Sequence, residues 1–120
     1  MSTRSSIGIK LPDGNIKAIY CHFDGYPDGV GQTLIEHYTT EEKINALMEL
    51  GDLSILGPEI GEKQDFDDYQ NRNRDWCLAY GRDRGESGQE AEIYSNIEEW
   101  KEAMWVDYYY LWDGTNWEII

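Results

Sequence analysis

Residues 21–34, CHFDGYPDGVGQTL, constrain the fold more than any other stretch of the chain. Three glycines, a proline and two aspartates stand between a run that alternates as a strand and a run with helical spacing. Glycine reaches backbone angles closed to other residues, and proline fixes its own φ. The segment is therefore expected to be a sharp strand-to-helix bend, shaped by Gly25, Pro27, Gly29 and Gly31.

The flanking patterns agree with that reading. IGIKLPDGNIKAIY reads as a β-hairpin, with Ile7 and Ile9 alternating and Asp13-Gly14 at the turn. On the return strand Ala18, Tyr20 and His22 share one face, and Ile19, Cys21 and Phe23 the other. TTEEKINALMELGD reads as a helix opened by a capping box of Thr39 and Glu42, striped by Ile44, Leu47 and Met48, and ended by Gly51. Residues 61–75 are the most polar part of the chain and read as a long loop or extended excursion. WCLAY (76–80) reads as a buried strand, GRDRGESGQE as a polar turn and AEIYSN as a short strand. IEEWKEAMW reads as a helix capped by Ser95 and Glu98. A closing hairpin turns at DGTN. The expected fold is α+β: one domain over residues 1–120, an antiparallel sheet built from the N- and C-terminal hairpins, and about three short helices packed on it.

A content of 40% hydrophobic residues can build a core in 120 residues, with nine tyrosines and five tryptophans carrying much of it. The net charge is −14. Residues 1–60 hold 4 basic and 9 acidic groups and residues 61–120 hold 6 and 15, so the fold itself is acidic, with no separate acidic tail. Direct nucleic-acid binding is disfavoured, because phosphate contacts need Lys and Arg. A basic protein surface is the favoured partner. No segment reads as a signal peptide or a membrane span, and two cysteines without a CxxC fit a reduced, cytoplasmic protein with no disulfide framework.

The bend fails each chemical template by a named residue. A phosphate loop needs a lysine that GYPDGVGQT lacks, and Asp24 and Asp28 would repel phosphate. Fragments of a calcium loop are present without its full ligand set. Cys21, His22, His37 and Cys77 match no zinc spacing. Cys21 and His22, adjacent on a strand, point to opposite faces. No catalytic set, metal site or cofactor is expected. A small enzyme using Cys21, His22 or His37 is kept as an alternative.

The better functional candidates lie elsewhere. Asp65, Asp67, Asp68 and Tyr69 cluster acid around aromatic rings in the polar loop. Tyr108, Tyr110, Trp112 and Trp117 belong to a C-terminal stretch with more aromatics than one small sheet face can hide. Exposed tyrosine and tryptophan beside acid suit a protein-binding surface.

Residues 20–57 carry a resemblance. CHFDGYPDGVG, a helical segment and LGDLSILG follow in the order found in a family of small acidic proteins encoded by bacteriophages and prophages, and AYGRDRGE and LWDGTNWEII are similar to that family too. The family pattern falls here on His22, Asp24, Gly25, Tyr26, Pro27, Gly29 and Gly31, read as structural. The resemblance implies a phage anti-defence protein in the host bacterial cytoplasm. It would bind and inhibit a host antiphage effector, the defence-associated sirtuin that depletes NAD, by protein–protein contact. The alternative within the same biology is an acidic mimic of nucleic acid that blocks a CRISPR or restriction protein.

Overall fold

The computed structural model describes residues 2–68 and 70–120. Strands β1 (Ser5–Lys10) and β2 (Ile16–Cys21) form the first hairpin, with Gly14 at φ +91° in its turn. A wide helical turn, Pro27–Gly31, leads into α1 (Gln32–His37), and α2 (Glu41–Leu50) and β3 (Leu53–Ile55) follow. Then come β4 (Leu78–Ala79), α3 (Tyr80–Arg84), β5 (Glu92–Tyr94) and α4 (Ile97–Ala103). The closing hairpin is β6 (Tyr108–Trp112) with β7 (Trp117–Ile119).

The seven strands form one sheet in the order β4-β3-β2-β1-β6-β7, with β5 also paired to β2. The α+β class and both end hairpins are as expected. The sheet is mixed, however, because β1 and β6 join the two hairpins in parallel, as do β2 and β3. Parallel neighbours need a crossover. Helices α1 and α2 supply one between β2 and β3, and α4 supplies the other between β5 and β6.

Each face of the sheet is covered by helix, and the alternation of side chains divides the core accordingly. Ile7, Ile9, Ile19, Cys21, Tyr110 and Trp112 face α1 and α2, meeting Leu34, Tyr38, Ile44, Leu47 and Met48. Ile16, Ala18 and Leu111 face α4, meeting Trp100. Gly8 leaves room for that indole, since a Cβ there would stand 3.0 Å from the ring. Trp100 Nε1–H donates to Ser6 Oγ at 2.8 Å, and Ser6 donates to the Ile19 carbonyl at 2.9 Å, so the buried polar atoms of this face are paired.

Local starts differ from expectation by one residue. The cap of α2 is Thr40, whose Oγ1 accepts from Lys43 N–H at 3.3 Å, in place of Thr39. Tyr38 is the reason: its hydroxyl donates to the Gly57 carbonyl and its own carbonyl accepts from Trp117 Nε1, which holds the backbone until the next residue but one. Asn96 caps α4 in place of Ser95, accepting from Glu99 N–H at 2.8 Å. The expected strand 76–80 shrinks to two residues, because the Asp83 carboxylate accepts the Ala79 N–H at 2.8 Å and starts α3 at Tyr80.

The polar stretch 61–75 is a fastened loop. Asp83 is only 7% exposed; it accepts from Gln64 N–H and pairs with Arg82 at 3.0 Å. Arg82 also donates to the carbonyls of Ile60 and Cys77. Gln64 reaches the Cys77 carbonyl and accepts from Asn73 N–H, which ties both ends of the excursion together.

Replacing Trp100 by Phe removes the donor to Ser6 and leaves a void against Gly8. Urea unfolding of Trp100→Phe is expected to show a loss of about 2 kcal/mol with an unchanged m-value.

Candidate functional site

The glycine bend is built on backbone contacts that admit no Cβ. Gly25 N–H donates to the Thr3 carbonyl at 2.8 Å, and a Cβ on Gly25 would meet the backbone of Arg4 at 2.8 Å. Asp24 takes the left-handed conformation at φ +57°, and its carbonyl accepts the Val30 N–H at 2.8 Å. A Cβ on Gly29 would collide with that same carbonyl oxygen. Gly31 lies against the Tyr110 ring, and the Tyr110 hydroxyl donates to the Gly25 carbonyl at 2.7 Å. Pro27 opens the wide turn, and the Tyr26 hydroxyl donates to Asp24 Oδ1 at 3.2 Å. Every member of the motif except His22 is thus committed to holding the bend.

His22 continues the sheet beyond β2. Its N–H donates to the Leu53 carbonyl, and Phe23 N–H donates to that of Ser54. The His22 ring lies 2.7 Å from the Tyr20 hydroxyl through Nδ1 and 3.4 Å from Ser2 Oγ through Nε2. Here, at the carboxyl ends of the parallel pair β2 and β3, a cleft of about 480 Å³ opens. Its walls are His22, Phe23 and Asp24 from the bend, Ser54 and Ile55 of β3, Leu78 of β4, Tyr80 and Arg84 of α3, and Phe66 and Arg72 from the polar loop. Phe66 is held between the Tyr80 ring, 5.5 Å away, and the Arg84 guanidinium, 5.2 Å away. Burial raises the Tyr80 phenol above its ordinary pKa, more than the hydrogen bond with Ser54 and the charge of Arg84 lower it. Arg84 Nε also lies 3.4 Å from Glu86. Arg72 Nε is buried with no hydrogen-bond partner among the described residues. Nothing in the spacing of the sequence marked this cleft, because Phe66, Arg72 and Arg84 reach it from two polar segments that only the Asp83 and Gln64 bonds bring together.

A larger cleft of about 600 Å³ lies between α2 and α3, but Glu49, Glu86 and Glu90 line it against Arg82 alone. Among the described residues no group of three or more metal-ligating side chains converges. No helix there is long and apolar enough to cross a membrane.

The expected partner-binding residues divide. Tyr69 lies outside the described residues. Asp65 and Asp67 are exposed, while Asp68 is half-buried and accepts from Gln70 N–H and Asn71; those bonds, the Asn71 side chain first, hold its carboxyl below the usual range. Tyr110 (1% exposed) and Trp112 are core residues, so neither offers a ring to a partner. Their burial follows from the second helical layer, which lets both sheet faces hide aromatics. Tyr108 is half-buried and stacked on Tyr110 at 6.3 Å. Trp117 is half-buried, packed on Trp112 at 5.4 Å and bonded to the Tyr38 carbonyl. The acidic loop packs beside Tyr80 at the β4 edge, and the aromatic hairpin ends at the β7 edge. Five strand spacings of about 4.8 Å separate those edges, so the two parts do not make one patch.

The exposed ring of the C-terminal region is Trp105, 80% exposed just beyond α4. Its Nε1–H donates to the Glu102 carbonyl at 3.0 Å, which ties the indole to the end of α4. Arg4, Lys101, Val106, Asp107 and Tyr109 surround its foot, and Glu98, Glu99 and Glu102 are exposed along α4. The signal available in the sequence was its position: the helical spacing of IEEWKEAMW puts Ile97, Trp100, Ala103 and Met104 in one stripe, and Trp105 falls outside it.

The cysteines are inert in place. Cys21 is fully buried on the α1/α2 face, and burial pushes its thiol up to about 12. Cys77 is buried as well, 3.3 Å from the Tyr38 hydroxyl, and burial raises it too. His37 is exposed on α1 beside Glu36 at 3.7 Å, away from the fully buried Cys21. The three residues of the enzyme alternative do not assemble.

No family model matches the chain, and neither a curated protein nor a solved structure matches it.

Two outcomes check this geometry. Gly29→Ala is expected to cost about 3 kcal/mol or more, since the bend must open. Gly85→Ala, at φ +79° with open space around it, costs only about 1–2 kcal/mol. Ellman's reagent at pH 8 is expected to titrate neither thiol in the native protein and both in guanidinium.

Proposed function

We propose that this domain is a phage-type anti-defence protein that works by binding, without covalent chemistry of its own. Its target is a bacterial antiphage effector in the host cytoplasm, a defence-associated sirtuin that depletes NAD. The observation that carries the binding reading is Trp105, a tryptophan exposed to solvent with its polar atom already paired. Such a ring enters a partner's pocket with little further ordering cost. The exposed Glu98, Glu99 and Glu102 on the adjoining helix, in a chain of net charge −14, favour a partner with a basic rim. The phage character rests on the resemblance of residues 20–57 to small acidic phage proteins; the choice of target rests on the length and acidity of the chain together with that character, and on no motif.

The test is co-purification with the defence-associated sirtuin, followed by an NAD-consumption assay with excess domain. The expected result is a stable complex and suppressed NAD loss. Trp105→Ala should weaken the complex by about 30-fold or more, equivalent to about 2 kcal/mol, while leaving the melting temperature unchanged. Unchanged NAD loss with excess domain overturns the proposed target. A complex insensitive to Trp105→Ala overturns the proposed surface. Binding that dissolves near 1 M salt and competes with DNA points to nucleic-acid mimicry, since the Debye length there is about 3 Å.

A further inference from the structure

We propose that the cleft at the carboxyl ends of β2 and β3 binds a small organic anion that carries an aromatic ring, of the class of a nucleoside 5′-monophosphate. This inference is independent of the protein-binding surface at Trp105 and stands on different residues.

Three features point to that chemistry. The first is Arg72, whose Nε is buried at the cleft and has no acceptor among the described residues. A buried guanidinium donor without an acceptor is costly, and a shift of the Arg72 side chain toward an entering anion would relieve that cost. Arg84 stands on the same cleft, and its pairing with Glu86 at 3.4 Å is between two exposed side chains. Two guanidiniums face the single carboxylate of Asp24, which already accepts from Tyr26. In a chain of net charge −14 this is a place where an anion is drawn in rather than repelled. Arginine forks match phosphate oxygens two at a time.

The second feature is the ring slot. Phe66 and Tyr80 lie against one another at 5.5 Å, Phe23 stands 42% exposed, and its ring is braced edge-on by His22 at 4.5 Å. Phe66 is already held between Tyr80 and Arg84, so the stacking area open to a planar base is the exposed Phe23 ring.

The third feature is position. Carboxyl ends of adjacent parallel strands are where open sheets place small ligands, since the crossover helices leave that end free. The bend lifts Phe23 and Asp24 to form one wall, and the volume of about 480 Å³ lies within the range of small-molecule sites.

The experiment is an NMR titration of the ¹⁵N-labelled full chain with each of the four ribonucleoside 5′-monophosphates, and separately with inorganic phosphate and with free adenosine. At least one monophosphate should saturate with Kd below about 1 mM, shifting the Arg72 Nε–H resonance and the His22 and Phe23 amides. Phosphate or adenosine alone should bind at least about tenfold more weakly, because each fills half of the site. Arg72→Gln should remove the shifts while the remaining spectrum stays native. Should that variant fail to fold, Arg84→Gln serves the same purpose. Lys10→Gln, on a distant exposed position, should bind as the parent does. Absence of shifts with all four monophosphates up to about 10 mM overturns the proposal. So does binding that is unchanged in folded Arg72→Gln or Arg84→Gln, and so does phosphate binding as tightly as any monophosphate.

Discussion

The hydrogen bond from the Tyr110 hydroxyl to the Gly25 carbonyl, 2.7 Å long, connects the three parts on which the rest of the fold depends. Tyr110 stands in β6, Gly25 begins the bend after β2, and Gly25 in turn bonds to Thr3 beside β1. The Tyr110 ring supports Gly31, where the wide turn passes into α1. Burial first, and then the neighbouring Tyr108, push the Tyr110 phenol up to about 12, so it stays a protonated donor across the neutral range. With this pin in place, α1 and α2 cross one face of the sheet and return the chain to β3 parallel to β2. The same pin sets Phe23 and Asp24 at the mouth of the cleft.

That arrangement explains which parts of the fold were legible in the sequence. Local periodicity was enough for β1, β2, α2 and the closing hairpin, because their burial follows their own spacing. The bend was legible from its glycines, and the close approaches at Gly25 and Gly29 give the reason. The parallel join of β1 to β6 was not legible. It depends on α4 crossing the second face, and nothing local to Ser5–Lys10 or Tyr108–Trp112 records a pairing across a hundred residues. The caps were displaced by one because Thr39-Thr40 and Ser95-Asn96 each offer two capping side chains in a row. Tertiary bonds at Tyr38 settle the first. Tyr80 left its strand for α3 because Asp83, one helical turn on, captures the Ala79 amide.

The candidate sites were less legible than the fold for a related reason. An excess of aromatic residues identifies a surface only when the number of covered faces is known. With helices on both faces, Tyr110, Trp112 and Trp100 become core, and the most exposed ring of the C-terminal stretch is Trp105. The cleft is assembled from the bend, the strand ends and two polar segments, and its arginines come within reach only because Arg82, Asp83 and Gln64 fasten the excursion. The molecule therefore separates its two candidate surfaces. An acidic helix with an exposed tryptophan at its end lies on one face, and a cationic aromatic cleft lies at the ends of β2 and β3.

The central claim is that Tyr110 holds the bend as a unit, and native-state hydrogen exchange in Tyr110→Phe tests it most directly. Without the hydroxyl, the amides of Gly25, Gly29 and Val30 should exchange faster by about tenfold relative to those of the β1–β2 ladder, whose protection should fall only with global stability. An equal change at the bend and the ladder, or no change at the bend, would contradict it.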